Sequence, residues 1–217
     1  MIKNERELKD KFVRVAVAFE IGGWHDDDLV VACVLQQLMG GGSSFSAGGP
    51  GKGMYTRLYT DVLNRFHWVE SAEAFTSIHD ESGILGIDAS CEAENIPYLM
   101  QAILDQLANV RRTLVTEEEL GRAKNMLKSM MFMQLESRLV LCEDIARQFV
   151  TYGERSSPLE VCARVDKVTA QDIQQLADRM FRSAPSVGAV GHNLSKLPMY
   201  DSIESYAKQL AQMGRVS

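Results

Sequence analysis

Residues 12–20 read FVRVAVAFE, with Val13, Val15, Val17 and Phe19 falling on one side of an alternating chain. β-Branched and aromatic side chains at every second position specify a strand with one buried face. Gly22 and Gly23 end it. From Asp28, the spacing of Leu29, Val30, Cys33 and Leu38 predicts a buried helix, opened by the acidic run Asp26, Asp27 and Asp28, whose charge complements a helix N-terminus. Glycines beginning at Gly40 stop that helix.

Beyond the glycines, Tyr55, Leu58, Tyr59 and Val62 predict a helix over 54–63, followed by extended runs at 68–77 and 83–91. In the second run Leu85, Ile87, Ala89 and Cys91 alternate with Gly86, Asp88 and Ser90, the period of a half-buried antiparallel strand. His79, Asp80, Glu81, Ser82 and Gly83 supply a turn, so the two runs form a hairpin. The second half reads as helical. Leu99, Ile103, Leu107 and Val110 lie on one stripe of 97–110, and Thr116 with Glu119 is a capping-box pair opening the next helix. Further helices are predicted over 138–150, 158–165 behind Ser157 and Glu160, and 169–181, then a strand over 186–190 and a helix over 200–212. This order predicts an α+β fold, a mostly antiparallel sheet with helices packed on one face.

The 217 residues suit one domain over 1–217, or an α/β part over 1–113 and a mainly helical part over 114–217 sharing one core. A chain of this length buries roughly 70% of its unfolded surface and needs no disulfide or metal to fold. Cys33, Cys91, Cys142 and Cys162 form no C-x-x-C pair and sit in apolar stretches, so they read as small buried hydrophobes in a reducing compartment. A net charge of −6 argues against a nucleic-acid partner and suits a basic ligand. No run reaches the roughly 18 apolar residues of a membrane span, and residues 1–11 carry acidic groups without the apolar core of an import signal.

Residues 40–53, GGGSSFSAGGPGKG, hold seven of the sixteen glycines. Such a segment is either a connector or a functional loop held in backbone conformations closed to other residues. It is not a phosphate loop: the residue five before Gly51 is Ser46, the residue after Lys52 is Gly53, and the segment follows a helix where a strand is required. His25, His67, His79 and His192 are isolated, and neither H-E-x-x-H nor H-x-x-E-H occurs, so the chain offers no zinc-peptidase ligand set. No G-x-S-x-G elbow occurs either. Two acidic groups, Asp26 to Asp28 and Asp88 with Glu92 and Glu94, are candidate attractors of a basic peptide or else solvated faces and caps. Met126, Met130, Met131 and Met133 read most simply as core packing, with a methionine surface that accommodates varied ligands as the alternative.

Residues 39–59, MGGGSSFSAGGPGKGMYTRLY, closely resemble the glycine-rich loop of mitochondrial processing peptidase alpha subunits, including the GPGKGM core at 49–54. Flanking pieces match in the same order: VAFE at 17–20, VLNRFHWVE at 62–70, LESR at 135–138 and EDIARQ at 143–148. Such subunits belong to the pitrilysin superfamily of zinc peptidases and have two related α+β halves, so the resemblance implies a C-terminal half, with any import signal expected in the other. It implies a heterodimer in the mitochondrial matrix, in which the beta subunit holds zinc and hydrolyses, while this chain holds no cofactor. The expected partners are that beta subunit, presequence peptides and the subunit's own N-terminal half. The implied substrate-binding residues are Gly40, Gly41, Gly42, Phe45, Gly48, Gly49, Gly51, Lys52, Gly53 and Met54. Among them Lys52 and Met54 are most tied to substrate, and Phe45 is a candidate contact for the apolar face of a presequence. The superfamily also contains the core proteins of respiratory complex III, so a structural role in that complex is the alternative.

Overall fold

The computed structural model describes residues 1–5, 11–43 and 54–214. Ile2–Glu5 forms β1 and Phe12–Gly22 forms β2. On β2, Val13, Val15, Val17 and Phe19 are buried, as the alternation requires. The chain then turns into α1, Leu29–Met39, which buries Val31, Val34, Leu35 and Leu38. Asp28 caps it by position, but its side chain makes no capping hydrogen bond and pairs instead with Arg179. Asp26 Oδ1 accepts from the Asp28 N–H at 2.8 Å, so this acidic run is spent on shaping the entry to α1.

Gly41–Ser43 forms a short strand, β3. Helical structure after the glycine-rich segment is confined to a π-helical turn over Leu58–Leu63, shorter than the predicted 54–63, because Met54 and Tyr55 lie in a turn. The predicted hairpin is β4, Val69–Ile78, and β5, Ser82–Glu92, which pair antiparallel from Ile78↔Gly83 to Val69↔Cys91. The turn is tighter than predicted, since Ile78 belongs to β4 and Ser82 to β5, and His79 N–H donates to the Ser82 carbonyl at 2.8 Å.

The helices follow with little deviation: α2, Ile96–Arg112; α3, Glu117–Leu135; α4, Arg138–Tyr152; α5, Pro158–Lys167; and α6, Ala170–Met180. Complete capping boxes open three of them, from Thr116 with Glu119, Ser157 with Glu160 and Thr169 with Asp172. Strand β6, Ser186–Gly191, and helix α7, Tyr200–Gln212, close the chain.

The sheet order is β1-β6-β2-β5-β4-β3, antiparallel except for the parallel β1/β6 pair. Strand β6 thus returns from the helical second half into the sheet. Helices α1, α2 and α6 pack on the face carrying Val15, Val17, Leu85, Ile87, Ala74 and Val187. One connected core runs from Val13 to Leu210. The other face carries Arg14 and Asp88, joined at 2.5 Å.

Two sequence expectations are corrected. Of the cysteines only Cys91 is fully buried; Cys33 and Cys162 are partly covered and Cys142 is exposed, because α4 buries no residue at all. Burial, reinforced by Glu92, pushes the Cys91 thiol up to about 12. The α3 methionines are not core: α3 buries only Leu120 and Ala123, and Met133 is exposed. No described helix is long and apolar enough to cross a membrane.

Candidate functional site

The glycine-rich segment starts from a rigid root. Gly40 ends α1 with φ 54°, its N–H donating to the Gln36 carbonyl at 2.8 Å, while its own carbonyl accepts from Ala74 N–H on β4 at 2.8 Å. Gly41 has φ 113°, and a Cβ there would overlap the Ala72 carbonyl oxygen. Both positions therefore require glycine for backbone reasons. Gly41, Gly42 and Ser43 then pair with Glu73, Ala72 and Ser71, so the first three loop residues after Gly40 are the edge strand of the sheet. Gln36 fixes the same corner, donating to the Ala74 carbonyl at 3.3 Å and accepting from Thr76 Oγ1 at 3.0 Å.

The returning chain is fixed as firmly. Thr56 is 5% exposed, and its hydroxyl accepts from Gly41 N–H at 3.2 Å, stitching the exit of the segment to its entry. Arg57 makes a two-pronged contact with Glu119, at 3.1 and 3.3 Å. Burial alone would raise the Glu119 carboxyl, but hydrogen bonds from Arg57 and Thr116 outweigh it and hold the group below the ordinary glutamate range. Glu119 thus serves the capping box of α3 and the anchor of the loop together.

A cleft of about 290 Å³ opens where the chain returns, lined by Tyr55, Thr56, Glu119, Arg122, Asn125 and Met126 among others. The Tyr55 ring is exposed and lies 5.7 Å from the Arg122 guanidinium. Met54 is 36% exposed on the same stretch. The cleft offers an aromatic face, a soft thioether and both charge signs, a surface that accommodates an amphipathic chain.

Of the predicted site residues, Gly40, Gly41, Gly42 and Met54 lie at this root. Phe45, Gly48, Gly49, Gly51, Lys52 and Gly53 lie outside the described residues. Tyr55 and Arg122 escaped the sequence reading as site residues, while Met126 was singled out there only as part of the methionine run. The methionine run on α3 was the available signal, but only the packing of α1 on α3 brings Met126 to the loop.

The acidic groups are largely engaged within the chain. Asp88 pairs with Arg14, Glu92 with Lys11 at 2.5 Å and Glu94 with Lys196 at 3.8 Å, while Asp80 meets His25 at 3.2 Å. Exposed pairs of this kind contribute only about 0–1 kcal/mol each, and they leave these two clusters less suited to be local attractors of a basic ligand than their sequence suggests. Among the described residues, no three His, Cys, Asp or Glu side chains converge as a metal site would require.

Residues 2–127 match the family described as the Peptidase M16 inactive domain. The chain is similar to mitochondrial-processing peptidase subunit alpha of Bos taurus, 36% identical over 94% of this chain and 40% of that protein. Its counterpart in Caenorhabditis elegans is 40% identical, over 88% of this chain and 37% of the relative. The probable subunit alpha-1 of Arabidopsis thaliana is 42% identical, over 88% and 38%. The chain therefore spans about two-fifths of the length of these relatives. In fold it is similar to a chain of complex III2 from Candida albicans, solved with Inz-5 bound, at TM-score 0.83 and 17% identity, covering 95% of this chain and 48% of that one.

Proposed function

This chain belongs to the Peptidase M16 inactive-domain family, and from that premise we propose that it acts as the C-terminal half of a mitochondrial processing peptidase alpha subunit. In this reading residues 1–217 form one non-catalytic domain in the matrix, and the glycine-rich segment meets presequence peptides for a beta subunit that carries the zinc and cuts. The observation that carries it is the double anchoring of that segment. Its entry is an edge strand, its exit is the Arg57–Glu119 clasp, and Thr56 ties the two together. A mere connector needs none of this, since doubling a loop's length costs only about 0.6 kcal/mol.

Tyr55 and Thr56, on the returning anchor, line the cleft together with Arg122 and Met126. Presequences are basic and amphipathic, so one face would meet Met54, Tyr55 and Phe45 while the net charge of −6 favours approach. Lys52 would meet peptide carbonyls or acidic groups. The alternative, a structural core protein of respiratory complex III, rests on likeness of fold alone.

The test is processing of a fluorescent presequence peptide by a reconstituted alpha–beta assembly whose alpha subunit lacks residues 44–53. Assembly and melting temperature should be unchanged and kcat/KM should fall by about tenfold or more, mostly through substrate affinity. Unchanged kinetics in a properly assembled variant would remove the functional reading of the segment.

A further inference from the structure

Helix α4 is turned inside out. Its inward stripe is polar: Asp144, Arg147, Gln148 and Thr151 line a space of about 420 Å³ between α4 and the helices α1, α3 and α5. Its outward stripe is apolar: Leu139, Cys142, Ala146, Phe149 and Val150 are all exposed, Leu139 by 70%, Phe149 by 55% and Val150 by 88%. The helix buries no residue. On the surface of a finished fold a helix shows the opposite arrangement, with its apolar side in and its polar side out.

This orientation is held from below. The Gln148 side chain donates to Asp144 Oδ2 at 2.9 Å and accepts from the Ser156 N–H at 2.9 Å. The Tyr152 hydroxyl donates to the Trp24 carbonyl at 2.9 Å, and the Arg147 guanidinium lies 5.9 Å from the centre of the Trp24 ring. Rolling α4 to bury its apolar stripe would break these contacts, so the stripe has to be covered from outside.

The spacing of the stripe bears on what covers it. Leu139, Cys142, Ala146 and Phe149 follow one another at intervals of three, four and three residues, the a/d spacing along which one helix packs on another. The fifteen residues of α4 present a face about 22 Å long and about 10 Å wide, roughly 220 Å². A stable complex of separate chains takes about 800 Å² from each partner. A segment of the same polypeptide has no such requirement, because the tether sets its local concentration. The curated relatives extend well beyond this chain, which spans about two-fifths of their length. We propose, on the reading of this chain as half of an alpha subunit, that the outer stripe of α4 seats a helix from the part of that subunit outside these 217 residues. That helix packs its own apolar stripe along Leu139, Cys142, Ala146 and Phe149.

Cys142, exposed within the stripe, is the reporter. Its rate of alkylation by N-ethylmaleimide, read by peptide mass spectrometry, is compared in three samples: the 217-residue chain at low and high concentration, the full alpha subunit alone, and the alpha–beta assembly. Because thiol reactivity follows access, Cys142 should react about tenfold or more slowly in the full subunit than in the chain, with no further change on adding the beta subunit. Phe149→Glu gives a second reading. It should leave the melting temperature of the chain unchanged, lower that of the full subunit and restore Cys142 reactivity there. The proposal is overturned if Cys142 reacts equally fast in the chain and the full subunit, or if protection appears only with the beta subunit. It is also overturned if protection appears in the chain alone as concentration rises, which would make a second copy the occupant. Loss of processing on deletion of residues 44–53, together with full Cys142 reactivity in the subunit, would sink this proposal and leave the functional reading of the loop standing.

Discussion

Gly41 illustrates how a single residue can matter for what it lacks. Its φ of 113° and the Ala72 carbonyl oxygen pressed against it leave no room for a Cβ, so Gly41→Ala is expected to destabilise the chain by about 1–3 kcal/mol. Gly121, inside α3 with open space where a Cβ would go, is the control. There alanine should stabilise by about 0.5–1 kcal/mol, because glycine only costs entropy in a helix. Urea unfolding of both variants checks the pair, and equal shifts of the same sign would contradict the account of the loop root. The sequence made the concentration of glycines plain. It did not reveal that Gly40 and Gly41 are conformational requirements, since that follows from α1 and β4 meeting at one corner.

Helix α3 carries the element-scale argument, because Glu119 joins its capping box to the returning end of the loop. Its folded carboxyl titrates below the usual 4.5, so the stability it supplies is fully present above that pH and is lost as pH falls through the lower folded value. Glu119→Gln should therefore melt below the parent at neutral pH, with the gap closing as melting is measured at successively lower pH below 4.5. A constant gap would contradict the assignment. The capping pairs Thr116 with Glu119 and Ser157 with Glu160, the amphipathic helices and the β4–β5 hairpin were legible because each writes a side-chain pattern at fixed spacing. Strands β1, IKNE, and β3, GGS, were not, because they join the sheet through backbone pairing and show no period. The same limit explains the α3 methionines. Apolar spacing shows that a face wants a neighbour, and only the tertiary packing shows that Met126 faces a cleft while Met133 faces solvent.

On the scale of the whole molecule, the returning strand β6 and the packing of α1, α2 and α6 make the sheet a fixed platform, and the glycine-rich segment leaves it at the β3 edge. The family was legible from an ordered set of motifs across most of the chain; the cleft beside the loop was not, since Tyr55 and Arg122 are 67 positions apart and meet only in the fold. The central claim is that a presequence lies against the base of this segment. It is tested most directly by placing the photoreactive residue benzoylphenylalanine at position 54 of the full alpha subunit, assembled with its beta subunit, and irradiating with a labelled presequence peptide. The same residue at position 199, where Met199 is 75% exposed on another part of the surface, is the control. The account predicts an adduct from position 54 that excess unlabelled presequence suppresses, with only background from position 199; no adduct at 54, or equal labelling at both positions, would contradict it.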